Sequence, residues 1–153
     1  MNKNYSIIII ILLFLNNCGY SPIYTNNSDK KFNIELINFE GDRDINTAIK
    51  YNLKRYSNNN NGEKIFIKTS SSYTKSAGTK NLAGDANNYN LSATVTFEIS
   101  FGEIKKTYKF SETSTINDIK NQLDENIYET NIKKNFALLF SDRLIFQLTR
   151  IKW

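Results

Sequence analysis

A chain of 153 residues with 20 lysines and arginines against 15 aspartates and glutamates carries a formal charge of +5, with no histidine and one cysteine. Without histidine the commonest general base and a standard zinc ligand are missing, and a lone cysteine cannot close an intramolecular disulfide. A basic balance favours phosphate-bearing partners, namely anionic lipid, lipopolysaccharide or nucleic acid, although the accompanying abundance of asparagine and isoleucine also fits a plain compositional bias.

Lys3 precedes an unbroken apolar run from Ile7 to Leu15, followed by Asn16-Asn17-Cys18-Gly19. A charged start and a short apolar stretch are the layout of an export leader. The run falls well short of the roughly 20 residues that a spanning helix needs. Cleavage before Cys18 would leave its thiol to carry diacylglycerol, and several acyl chains on one residue give lasting attachment. An exported chain seldom meets nucleic acid, so that partner is not expected. Gly19, in place of an aspartate, favours sorting to the outer membrane. The expected organisation is therefore a lipoprotein signal peptide over 1–17, a lipidated N-terminus and tether over 18–31, and a single periplasmic domain over 32–153.

In chain order, Tyr20-Ser21-Pro22-Ile23-Tyr24 is an extended apolar-aromatic strip, and the polar tract from Thr25 to Lys31 reads as the tether. Phe32, Ile34, Leu36, Ile37 and Phe39 predict a first strand closed by Gly41-Asp42. Asp44 is placed to cap a helix whose Ile45, Ala48, Ile49, Leu53 and Tyr56 share one face. The asparagine run ending in Gly62 stops it. A second strand starts over Lys64–Thr69, and the polar region from Ser70 to Asn88, with Gly78 and Gly84, reads as a long connection. Leu91, Ala93, Val95, Phe97, Ile99 and Phe101 alternate without a break with polar residues, which predicts a strand with one buried face. Gly102-Glu103 turns it into an antiparallel partner, where Ile104, Tyr108 and Phe110 alternate with Lys105, Thr107 and Lys109. Ser111 to Glu125 reads as a loop with a helical turn. From Tyr128 to Arg150 the period returns to that of a helix, with Ile132, Phe136, Phe140, Leu144 and Leu148 in one row and Leu139, Phe146 and Ile151 beside it. The order β-α-β-β-β-α predicts an α+β fold, a four-stranded antiparallel or mixed sheet with both helices packed on one face.

Catalytic chemistry is not expected. Asp42-Asp44 and Asp124-Glu125 stand at turns and helix starts, where carboxylates complement the helix N-terminus. No spacing suits a metal, no glycine pattern suits a bound phosphate, and no cofactor is implied. The core-face aromatics are expected to pack. Tyr20 and Tyr24 lie outside the periodic core and are candidates for contact with a partner or the membrane interface.

Cys18-Gly19-Tyr20-Ser21-Pro22-Ile23-Tyr24 resembles the Cys-Gly-Phe-x-Pro-Leu-Tyr opening of the alphaproteobacterial LPS-assembly lipoprotein family, LptE, and the later elements follow the same order. Ser21 departs from the basic residue frequent there, and Asn17 from the small residue expected before the cysteine. The resemblance implies a non-enzymatic plug subunit of the outer-membrane β-barrel LptD, helping to place lipopolysaccharide in the outer leaflet. It also implies lipopolysaccharide contacts by basic residues near the tip of the sheet, which by position are Lys68, Lys75 and Lys80. The competing expectation is a periplasm-facing lipoprotein that scaffolds, or binds a ligand for, another envelope complex.

Overall fold

A computed structural model describes residues 32–57 and 62–151. The elements are β1 (Phe32–Gly41), α1 (Arg43–Lys54), β2 (Glu63–Ala77), β3 (Asn88–Phe101), β4 (Ile104–Asn117) and α2 (Gln122–Arg150). The strands form one sheet in the order β1-β2-β3-β4. β1 and β2 are parallel, so the chain must cross back between them, and α1 is that crossover. The other two pairings are antiparallel. The expected α+β architecture, a mixed four-stranded sheet with two helices, is the observed one.

β3 shows why the pattern was legible. Leu91, Ala93, Val95, Phe97 and Ile99 are buried beneath the helices, while the residues between them face the open side. The turn at Gly102, where φ is 53°, sets Phe101 opposite Ile104 and Phe97 opposite Tyr108. β1 reaches the same core with an irregular rhythm. Its register with β2 shifts between Leu36 and Asn38, so Ile37 is turned outward while Leu36 and Phe39 both pack against the core.

Four boundaries differ from the sequence reading. β2 runs on through Ser70–Ala77, because β3 pairs with it along that whole length although neither of its faces there is apolar enough to reveal a strand. β4 likewise continues through Ser111–Asn117 instead of looping. α1 is capped by Asp42, whose carboxylate accepts from the Asp44 and Ile45 amides at 3.0 Å each. Asp44 sits in the first turn. α2 starts at Gln122, not Tyr128, with the Asn121 side chain accepting from Leu123 N at 2.9 Å. The added turns bury little apolar surface, so no periodic stripe announced them. Within α2, Phe136, Phe140, Leu144 and Leu148 are buried as a row, whereas Leu139 and Phe146 face outward.

α1 and α2 lie parallel to each other. Lys133 reaches Asp42 and Asp44 at the start of α1, and Asp142 pairs with Arg55 just past its end. The domain therefore has two distinct ends. The hairpin end gathers the Gly102–Glu103 turn, the start of β1 and the ends of both helices. The far end carries the 78–87 connection and the start of α2.

Candidate functional site

The core-facing side of β2 changes character along its length. Ile65 and Ile67 are followed by Thr69, Ser71, Tyr73 and Lys75, a polar seam beneath the first turns of the two helices. Lys133 lies 2.9 Å from Asp42 Oδ2 and 3.3 Å from Asp44 Oδ2, with its ammonium 4.3 Å from the centre of the Tyr73 ring. Lys75 lies 2.5 Å from Glu125 and 3.1 Å from Glu129, and 4.8 Å from the centre of the Tyr89 ring. Ion pairs thus hold the apolar-poor beginning of α2 to the sheet.

Burial alone would raise the Asp42 carboxyl, but bonds from the Ile45 amide, the Lys133 ammonium and the Asp44 amide outweigh it and hold the group below its ordinary 3.8. Burial opposes the Lys133 ammonium, and the two aspartates overcome it, raising it above 10.5. Lys75 is raised chiefly by its bond to Glu125. Burial first, and then the Glu129 carboxylate, push the Tyr73 phenol far up, so it stays neutral. The lowered Asp42 value contributes stability that is complete above its unfolded pKa and is lost as pH falls through the folded value. The two lysines contribute stability that is complete below 10.5 and is lost as pH climbs past their folded values. Asp42→Asn is therefore expected to flatten the acid limb of a denaturant-midpoint titration below about pH 4. A limb identical to that of the unaltered protein would remove Asp42 from the acid sensitivity.

The three lysines singled out from sequence are not brought together. Lys68 points to the open side of the sheet, paired in register with Glu98. Lys75 points to the opposite side and is roughly 23 Å further along the strand at about 3.3 Å per residue. Lys80 is exposed in the 78–87 connection, which is tightened by a bridge between Lys80 and Ala86 and by the Asn81 side-chain Oδ1 accepting from the Ala83 and Asp85 amides. Lys68 instead shares a depression of about 250 Å³ with Lys105, Lys106, Glu98, Ser100 and Thr107. The hairpin register alone, counted back from Gly102-Glu103, was the signal that could have joined Lys105 to that row. Cys18, Tyr20 and Tyr24 lie outside the described residues.

Beyond Lys68 the open side of the sheet is uncharged and polar over β2 and β3. Ser70, Ser72, Thr74 and Ser76 on β2 meet Thr96, Thr94, Ser92 and Asn90 on β3 in register. The third strand adds hydroxyls, with Thr94 2.9 Å from Ser111, Ser92 3.4 Å from Thr113 and Asn90 3.0 Å from Thr115. No helix covers this surface. A separate groove of about 660 Å³ runs between the helices, lined by Thr47, Ala48, Tyr51 and Thr130 with Arg43 and Lys134 at its edges. Among the described residues no group of acidic, histidine or cysteine side chains is placed to hold a metal ion, and no helix is long and apolar enough to cross a membrane.

These features define a two-layer α+β domain with a bare, hydroxyl-rich sheet face and cations at one end. No protein-family model matches the chain, and no curated protein matches it in sequence. The fold is similar to that of rare lipoprotein B from Shewanella oneidensis, with a TM-score of 0.55 at 13% identity over 75% of this chain and 94% of that one. It is also similar to an uncharacterized lipoprotein B from Nitrosomonas europaea, with a TM-score of 0.54 at 10% identity over 78% of this chain and 84% of that one. At these identities the likeness concerns the fold.

Proposed function

We propose that this protein is a lipid-anchored envelope subunit of the LptE kind, attached to the outer membrane through Cys18, facing the periplasm, and assisting lipopolysaccharide assembly as the plug of an LptD-like β-barrel. The observation that carries the reading is the bare sheet face. An antiparallel sheet commonly leaves one side to water, and here that side, beyond Lys68 and Glu98, is tiled with Ser, Thr and Asn along β2, β3 and the second half of β4, with Lys109 beside Thr96. A barrel interior is polar, so a plug must offer it polar groups. The fold shared with two lipoproteins and the opening motif at Cys18 support the same reading. The protein acts by binding, without a cofactor. Of the three basic candidates, Lys80 at the far tip is the one best placed to meet lipopolysaccharide phosphates within a lumen, since Lys75 is engaged by two glutamates and Lys68 belongs to the other end. Tyr20 and Tyr24 are proposed to contact the partner beside the anchor.

Extraction from the native membrane in mild detergent should bring down a large outer-membrane β-barrel in fixed ratio with this chain, and Cys18→Ala should abolish incorporation of labelled fatty acid. Extraction as a lone monomer would instead favour a periplasm-facing scaffold or ligand-binding module of another envelope complex. The groove between the helices is the feature that suits this second reading.

A further inference from the structure

We propose that the hairpin end of the domain is a cationic pole that seats on the anionic headgroups of a bilayer, so that the domain stands on the membrane with its far end pointing away. The topology brings together there Lys54 at the end of α1, Lys64 near the start of β2, Lys105 and Lys106 just past the turn, and Arg150 at the end of α2. The depression shared by Lys68, Lys105 and Lys106, and a second one of about 450 Å³ lined by Lys50, Lys54 and Lys64, open on this end. Glu35, Glu63, Glu98 and Glu103 lie at the same end with the opposite charge. The far end has the reverse balance, with Asp85, Asp118 and Asp124 around Lys80 and Lys120.

Part of the positive charge is explained within the fold. Both helices end here, and Lys54 and Arg150 complement the negative ends of two parallel helix dipoles. Lys64, Lys105 and Lys106 lie on strands and are exposed, so that explanation does not reach them.

The tether selects the occupant. β1 begins at Phe32 on this same end, and residues 18–31 reach at most about 50 Å when fully extended. The far end lies a further sheet length away, about 45 Å along β3. Full extension of that segment would span this distance, but a coil of its length averages only about 20 Å end to end, so a lipid on Cys18 favours the basic end over the acidic one near the headgroups. A lipid anchor and a basic patch are two membrane signals that reinforce each other. This inference rests on the reading of Cys18 as the anchor. In the plug reading it leaves the pole at the periplasmic rim and sends Lys80 into the lumen.

The test uses the full chain with a photoreactive residue in place of Glu103, at the pole, or of Asp85, at the far end. Each form is reconstituted with vesicles of phosphatidylcholine alone or with added phosphatidylglycerol, and lipid adducts are read by mass. Labelling from position 103 is expected to rise about tenfold with phosphatidylglycerol. It should fall back when Lys105 and Lys106 are changed to glutamate, and also in about 1 M salt, where the screening length is ~3 Å. The Lys120→Glu, Lys134→Glu form, altered away from the pole, controls for net charge and should keep the rise. Equal labelling from position 103 on both kinds of vesicle, or equal labelling from position 85, would overturn the pole. Flotation with pure phosphatidylcholine vesicles reports the anchor separately. A chain that fails to float there yet labels phosphatidylglycerol from position 103 would refute the anchor and sustain the pole.

Discussion

Gly41→Ala is expected to cost about 3 kcal/mol or more, a large share of the roughly 5–15 kcal/mol by which a domain is stable. Two effects act together. Gly41 has φ of 95°, a region costly for any residue with a Cβ, and an added Cβ would lie 1.7 Å from the Ser71 carbonyl oxygen. That oxygen also accepts from the Asp42 amide at 3.3 Å, so the displaced backbone would disturb the residue that caps α1 and pairs with Lys133. Gly84→Ala isolates the first effect, since φ there is 91° and nothing lies within 4 Å of the added carbon. It should cost only about 1–2 kcal/mol. Urea midpoints for the two variants check the argument, and equal losses would show that close approach to β2 is not what requires glycine at the end of β1.

Phe97→Ala should cost about 3–5 kcal/mol, through lost apolar transfer and the cavity left in a packed core. Phe97 is fully buried, with its ring 6.1 Å from that of Phe110, and lies in the row that α2 covers. Thr96→Ala, one residue away on the bare side, should change stability by no more than about 0.5 kcal/mol. The pair reads out the face assignment directly. Comparable shifts in denaturant midpoint at unchanged slope would mean that the sheet buries both faces, which would also remove the basis for a polar plug surface.

The legible parts of this chain are those where one face is apolar and the other is not. β3, its turn into β4 and the Phe136–Leu148 row of α2 could be read because burial had imposed a single period on neighbouring residues. The second halves of β2 and β4 could not. Their backbones are satisfied by neighbouring strands, while their side chains are Ser, Thr and Asn on the bare side and, apart from the buried Ile116, mostly polar again under the start of α2. Composition there looks like a loop, and only the pairing partner, distant in sequence, makes it a strand.

The same distinction divides the candidate sites. Residue types and order determined the leader-like start, the lone Cys18, the helix and strand order and the α+β class, because these depend on local patterns of charge and hydrophobicity. The roles of the lysines did not follow from local patterns. Lys75 is drawn from a supposed exposed turn into an ion pair with Glu125 and Glu129 from a helix far along the chain, and Lys68 is set on one face with Lys105 by the register of two strand pairings. Which cations are spent inside the fold and which are left to face a partner is a matter of distance in space. A charge alters a carboxylate or a phosphate only within a few ångströms, and those ångströms are fixed by strand register and helix packing.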